Sequence, residues 1–102
     1  MIGDVDFVPA DFDGTAHLAF ISLLMVVAPW RNRGIGTRIL KLVENKIRMI
    51  GRVSEIHTAV QLNNLAALRF WQRKNYHVFG NPKLRPDQTL VLYLRKVLFI
   101  SD

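Results

Sequence analysis

The sequence predicts one α/β domain (α+β in the looser sense), with helices packed on a sheet across residues 1–102. Three patterns carry this expectation. A run of apolar and β-branched residues from Ala16 to Ala28 is broken by Pro29. A period of three to four residues then runs from Ile35 to Ile50, and Ser54–Gln61 alternates with a period of two.

Taken in order, Val5–Val8 is a short strand candidate, and Pro9–Thr15 reads as a loop turning at Asp13-Gly14. Ala16–Ala28 is the long strand, and its one polar residue between Leu18 and Trp30 is Ser22. Thirteen residues are too few for a bilayer-spanning helix, which needs about 20, so a strand buried on both faces explains the run. Gly36 to Ile50 is a helix: Ile35, Ile39, Val43, Ile47 and Ile50 mark its apolar stripe, which Leu40 and Leu42 widen, and Arg38, Lys41, Glu44, Lys46 and Arg48 fill the other faces. Gly51 stops it. In Ser54–Gln61, Ile56, Thr58 and Val60 alternate with Glu55, His57 and Ala59. Asn63-Asn64 opens a second helix with Asn as N-cap, and Asn75 takes a left-handed conformation where it ends near Lys74. Tyr76–Phe79 is a short strand, Gly80–Gln88 a loop with two prolines, and Thr89–Ile100 the last strand.

Composition narrows the class. Half of the residues are apolar, which excludes a disordered chain. No cysteine is present, so there is no disulfide framework and no thiolate zinc site, and no metal is expected. The absence of cysteine also suits a cytoplasmic protein. Asp4, Asp6, Asp11 and Asp13 precede the apolar run, which argues against a signal peptide, and no membrane partner is expected. A net charge of +6 attracts polyanions. The basic residues are dispersed and match no nucleic-acid-binding motif, which argues against nucleic acid as the partner.

The most specific feature is the turn Arg31-Asn32-Arg33-Gly34-Ile35-Gly36, which joins the long strand to the first helix. Glycines let a ligand approach the backbone, the helix N-terminus presents free N–H groups, and Arg31 and Arg33 add charge, which together make a phosphate site. No Lys-Ser or Lys-Thr pair follows the glycines, as a triphosphatase loop would require, and the three-glycine dinucleotide fingerprint is missing.

Val27, Pro29, Arg31, Gly34 and Gly36, following a strand and opening a helix, resemble the acyl-CoA pyrophosphate loop of the GNAT family of N-acetyltransferases. A later motif of that family, N-x-x-A-x-x-x-Y-x-x-x-G-F, is similar to Asn64–Tyr76: Asn64 and Ala67 match, while Trp71 stands for Tyr, Asn75 for Gly and Tyr76 for Phe. The resemblance covers residues 16 to 97. It implies a twisted mixed sheet, with Ala16–Ala28 and Ser54–Gln61 as the two strands that splay around acyl-CoA. It further implies that Met25, Val26 and Val27 pair with the pantetheine arm, that Arg31, Asn32, Arg33, Gly34, Ile35, Gly36 and Thr37 hold the pyrophosphate, and that Asn64, Ala67 and Trp71 line the cofactor. The strand and two helices that usually precede this region are missing from the resemblance. The chain is then a truncated member, a fragment or a protomer completed by a partner, and a homodimer is expected.

The resemblance implies an N-acetyltransferase that moves an acetyl group from acetyl-CoA to a primary amine by direct attack, with coenzyme A as cosubstrate. The rival expectation is a non-catalytic CoA-binding or assembly module of the same fold. Trp71 cannot donate a proton as the family Tyr does, and Leu23, Leu24, Met25 and Val26 offer no carboxylate for ordering water. His57 and Tyr76 remain as weak candidates for proton transfer, and Asp11, Asp13 and His17 read as solvated loop residues.

Overall fold

The computed structural model describes residues 3–14, 17–26 and 34–98. Five strands and two helices follow one another as β1 (Gly3–Val8), a single 3-10 turn (Phe12–Gly14), β2 (Leu18–Val26), α1 (Ile35–Ile50), β3 (Glu55–Gln61), α2 (Leu65–Arg73), β4 (His77–Leu84) and β5 (Leu90–Val97). The sheet is mixed, in the order β1-β2-β3-β5-β4: β2 and β3 run parallel and the other pairs are antiparallel.

The parallel pair is bridged by α1, and its apolar stripe explains why the helix packs on the sheet. Leu40, Val43 and Ile47 are buried against Ala19 and Ile21 of β2 and Ile56 and Val60 of β3. The left-handed Gly51 ends α1 and returns its N–H to the Arg48 carbonyl. Leu42 departs from the expected stripe. At 100° per residue it points away from Val43 and Ile47, and it is 70% exposed. Glu44 departs in the opposite sense, being buried between the helix and the sheet.

Helix α2 joins the same core. Asn64 caps it, its Oδ1 accepting from the Ala67 N–H at 3.1 Å. Trp71 of α2 packs edge-on against Tyr76, with ring centroids 4.8 Å apart, and both belong to the core cluster that holds α1. Among the described residues, both helices therefore cover one face of the sheet. The other face carries an aromatic surface in which Phe12 stacks on Phe20 and His57 lies tilted against Phe79. Leu18 and Phe20 on that face are only half-buried, so β2 is not enclosed on both sides over this stretch.

The expected loop Gly80–Gln88 is largely strand. β4 continues to Leu84 through a bulge at which residues 80–82 interrupt the register between Phe79↔Tyr93 and Lys83↔Val91. β4 is an edge strand, where proline is tolerated, and Gly80 supplies the positive φ of 70°. In the loop before β2, Asp11 and His17 are exposed, as expected, and each also contacts Arg52. Arg52 donates to Asp11 at 2.8 Å and a ring nitrogen of His17 meets the Arg52 carbonyl, tying that loop to the residues after α1.

Candidate functional site

The site begins with one polar residue in an apolar strand. β1 pairs with β2 along its whole length, but the register shifts between Asp6↔Leu23 and Phe7↔Ile21, leaving Ser22 as the extra, bulged residue. Its hydroxyl donates to the Asp6 carbonyl at 3.2 Å. A bulge bends its strand and raises the local twist. On the other side of β2, pairing with β3 runs only from Leu18↔Glu55 to Ile21↔Thr58. Past that point both strands continue, to Val26 and Gln61, without pairing to each other. The bulge and the divergence fall at the same place. Thr58 fastens the branch, its buried hydroxyl donating to the Ile21 carbonyl at 2.8 Å.

The result is a wedge between residues 22–26 of β2 and residues 59–61 of β3. Its walls are backbone edges that a sheet would normally fill, so an extended, amide-bearing ligand can complete them. Met25 and Val26 lie on the β2 wall. Val27, Arg31, Asn32 and Arg33 lie outside the described residues.

The description resumes at the start of α1. Gly34 is its N-cap in a left-handed conformation, φ 74°, with no side-chain cap, and the first turn contains no acidic residue. Its carbonyl already accepts from the Arg38 N–H at 3.1 Å, while the N–H groups of Ile35, Gly36 and Thr37 have no acceptor within the helix. Among the described residues, no atom lies within 4 Å of where a Cβ on Gly34 would stand. Free N–H groups and the positive end of the helix dipole stand together at this turn, an arrangement that favours an anion.

Asn64 and Ala67 stand at the start of α2, just after the β3 wall. The Asn64 carbonyl oxygen is occupied by the cap, which leaves its amide NH₂ as the group available to a ligand. Trp71 is 6% exposed and wedged edge-on between Phe70 and Tyr76, as a packing residue. Tyr76 is fully buried and its hydroxyl donates to Glu44 at 2.7 Å. Burial, followed by the Glu44 charge, pushes this phenol far above its ordinary range, so it stays protonated and is held inside the core. Lys96 approaches both Glu44 oxygens at 3.1 and 3.2 Å, completing a triad that sequence reading did not find. No spacing in the sequence signals it, because Glu44, Tyr76 and Lys96 lie on three separate elements.

His57 sits on the helix-free face next to the branch residue Thr58. A ring nitrogen lies 3.3 Å from Glu55, which Arg95 also approaches at 3.6 Å. His57 therefore belongs to a half-buried ionic and aromatic cluster, completed by the Arg95 guanidinium over the Phe79 ring. Beyond the end of β3, Gln61, Leu62 and Asn63 face Gln88, Thr89 and Leu90 across a shallow groove.

Comparison with known proteins agrees with this architecture. The family model for the acetyltransferase (GNAT) family matches residues 2–76. The chain belongs to that family. N-alpha-acetyltransferase 50 of the zebrafish Danio rerio is 33% identical over 64 residues, which make up 63% of this chain and 38% of that protein. The structure of the NatC complex bound to Gag peptide and CoA superposes with a TM-score of 0.82 at 18% identity, over 96% of this chain and 62% of the other. Arabidopsis thaliana Naa50 in complex with the bisubstrate analogue CoA-Ac-MVNAL gives a TM-score of 0.74 at 22% identity, over 95% of this chain and 66% of the other. The chain thus corresponds to under two thirds of the length of each of these relatives.

Proposed function

We propose that this chain binds acetyl-CoA in the wedge between β2 and β3 and transfers the acetyl group to a primary amine, the α-amino group of a peptide being the acceptor class its relatives suggest. The observation that carries this reading is an unfilled pair of strand edges, supported by an α1 N-terminus with no side-chain cap that follows β2 in the chain. The pantetheine arm would supply the missing strand, and the pyrophosphate would take the N–H groups of residues 35–37. Arg31 and Arg33, from their sequence position, would add charge there. Backbone N–H groups at the end of β2 would polarise the thioester carbonyl, and the bound geometry would present it to the incoming amine.

A non-catalytic CoA-binding module is the second reading. Trp71 favours it, because an indole buried in the core takes the place of the family's proton donor. Incubating the chain with acetyl-CoA and a short peptide with a free α-amino group, and reading the acetyl mass increment, separates the two. Acetylated peptide above the uncatalysed background supports transfer. CoA binding without product supports the module. Trp71→Tyr is expected to leave turnover flat or lower and to destabilise the fold by about 1–3 kcal/mol, because the smaller ring leaves a void between Phe70 and Tyr76. A tenfold gain in turnover with unchanged stability would contradict the packing role.

The homodimer is part of the same proposal. The helix-free face is the surface suited to it, because Val8 and Val97 are 41% and 50% exposed beside the half-buried aromatics. Light scattering at high micromolar concentration is expected to give twice the 11.7 kDa chain mass, and a strict monomer would contradict the proposal.

A further inference from the structure

The outward surface of the helical layer has a charge pattern that a single CoA does not use up. Arg38, Lys41, Lys46 and Arg48 of α1 and Arg69 and Arg73 of α2 are all exposed, and none forms an ion pair with a described residue. The only acidic residue on either helix is Glu44, which is buried and neutralised by Lys96. Lys46 and Arg48 lie about 18–21 Å along the helix from Gly34, at 1.5 Å per residue, well beyond a pyrophosphate held at the N-terminus. The acids of the described chain sit elsewhere, on β1, in the loop after it, on the helix-free face and in the β4–β5 hairpin. The outward helical surface therefore carries uncompensated positive charge, whereas the acids elsewhere lie among Arg52, Lys83, Arg85 and Arg95.

Two large apolar side chains stand in the middle of the basic surface. Leu42 is 70% and Met49 is 86% exposed, the two highest values among the large apolar residues described. Seven residues apart, they share the outward stripe of α1, with Lys41 and Arg48 on one flank and Lys46 on the other. Phosphate-backbone recognition makes no use of such side chains. An anionic bilayer surface uses both parts: lipid phosphates attract the cations, and the interface accepts the apolar tips. A second copy of this surface would be repelled by like charge.

Against the expectation of no membrane partner, which rested on the absence of a signal peptide, we propose that the outward face of α1 and α2 docks the protein on anionic lipid bilayers, with α1 lying parallel to the surface and Leu42 and Met49 entering the interface. Among the described residues, no helix is long and apolar enough to cross a membrane, so the contact is peripheral. This docking is independent of the CoA reading, because its residues lie away from the wedge.

Cosedimentation of the intact chain with vesicles tests it. Phosphatidylcholine vesicles are compared with vesicles containing about one third phosphatidylserine, at low and physiological salt. The expected result is binding only to the anionic vesicles, weakening as salt rises. Lys46→Glu with Arg48→Glu should lower it at least about tenfold, the equivalent of roughly 1.4 kcal/mol. Leu42→Ser with Met49→Ser should lower it several-fold. Both double variants alter exposed positions, and unchanged melting and unchanged CoA affinity would show that the fold and wedge are intact. Absence of any phosphatidylserine-dependent binding overturns the proposal. So does vesicle binding indifferent to Leu42 and Met49, with an RNA duplex bound more tightly than lipid, which would make the face a nucleic-acid surface.

Discussion

Gly34→Asp is expected to lower CoA affinity about a hundredfold or more. Gly34 holds a left-handed backbone, φ 74°, at the N-terminus of α1, where any side chain is strained although a Cβ meets no described atom within 4 Å. What it brings is a carboxylate where the pyrophosphate is proposed to sit. Unit charges about 4 Å apart repel by about 4 kcal/mol at an effective dielectric of about 20. Surface screening takes part of this, and a remainder of about 3 kcal/mol corresponds to roughly a hundredfold. Gly34→Asn is the matched control. Asn tolerates the left-handed region about as well as Asp and carries no charge, so its affinity is expected to fall less than about tenfold. Calorimetric titration of CoA into each variant checks the pair. Equal losses for Asp and Asn would mean that backbone strain, not charge, governs the turn.

Tyr76→Ala is expected to destabilise the protein by about 3–5 kcal/mol, the range for removing a large aromatic from a core. That is a large fraction of the total for so small a domain. Tyr76 is fully buried, supports Trp71 edge-on, and gives Glu44 its only hydroxyl partner among the described residues. Tyr76→Phe keeps the ring and removes the hydroxyl. It should cost about 0.5–1.5 kcal/mol, as for a typical hydrogen bond, with Lys96 still holding Glu44. The same hydroxyl sets a pH dependence. Its pKa is raised in the folded state above an ordinary value near 10, so its stabilisation is complete below that value and is lost as pH rises past it. Urea midpoints measured between about pH 9 and 11 should therefore converge between wild type and Tyr76→Phe as pH rises. A constant difference across that window would show that the hydroxyl does not titrate differently in the two states.

Elements governed by local periodicity were legible in the sequence. The stripe from Ile35 to Ile50 placed α1, and the alternation of Ile56, Thr58 and Val60 placed β3 with those residues inward. Gly51 and Asn75 occupy the left-handed positions their residue types suggest, with φ of 82° and 70°, and Asn64 caps α2. What failed was governed by tertiary context. Pro82 and Gly80 read as loop because their tolerance at an edge strand depends on the strand order. Leu42 was assigned to the apolar stripe on composition alone, although its angular position places it outward. Glu44 looked like a surface residue because its partners, Tyr76 and Lys96, arrive from distant segments. For the candidate site, the glycine turn was readable as the start of a helix, and Gly34 stands there as a left-handed N-cap. The wedge itself depends on where the β2–β3 pairing stops, which no single strand encodes. Ser22, alone in an apolar run, was the local sign of the bulge that opens it.

In the proposed function, the wedge and the N-terminus of α1 together hold coenzyme A. Calorimetric titration of CoA into the wild-type chain tests it most directly, with an amide exchange comparison of the free and bound forms. A saturable one-to-one heat is expected, with protection concentrated at residues 22–26 of β2, residues 34–37 of α1 and residues 59–61 of β3. The absence of heat at about millimolar ligand, an affinity worth roughly 4 kcal/mol, would show that this site does not hold CoA, as would saturable binding whose protection falls outside those three segments.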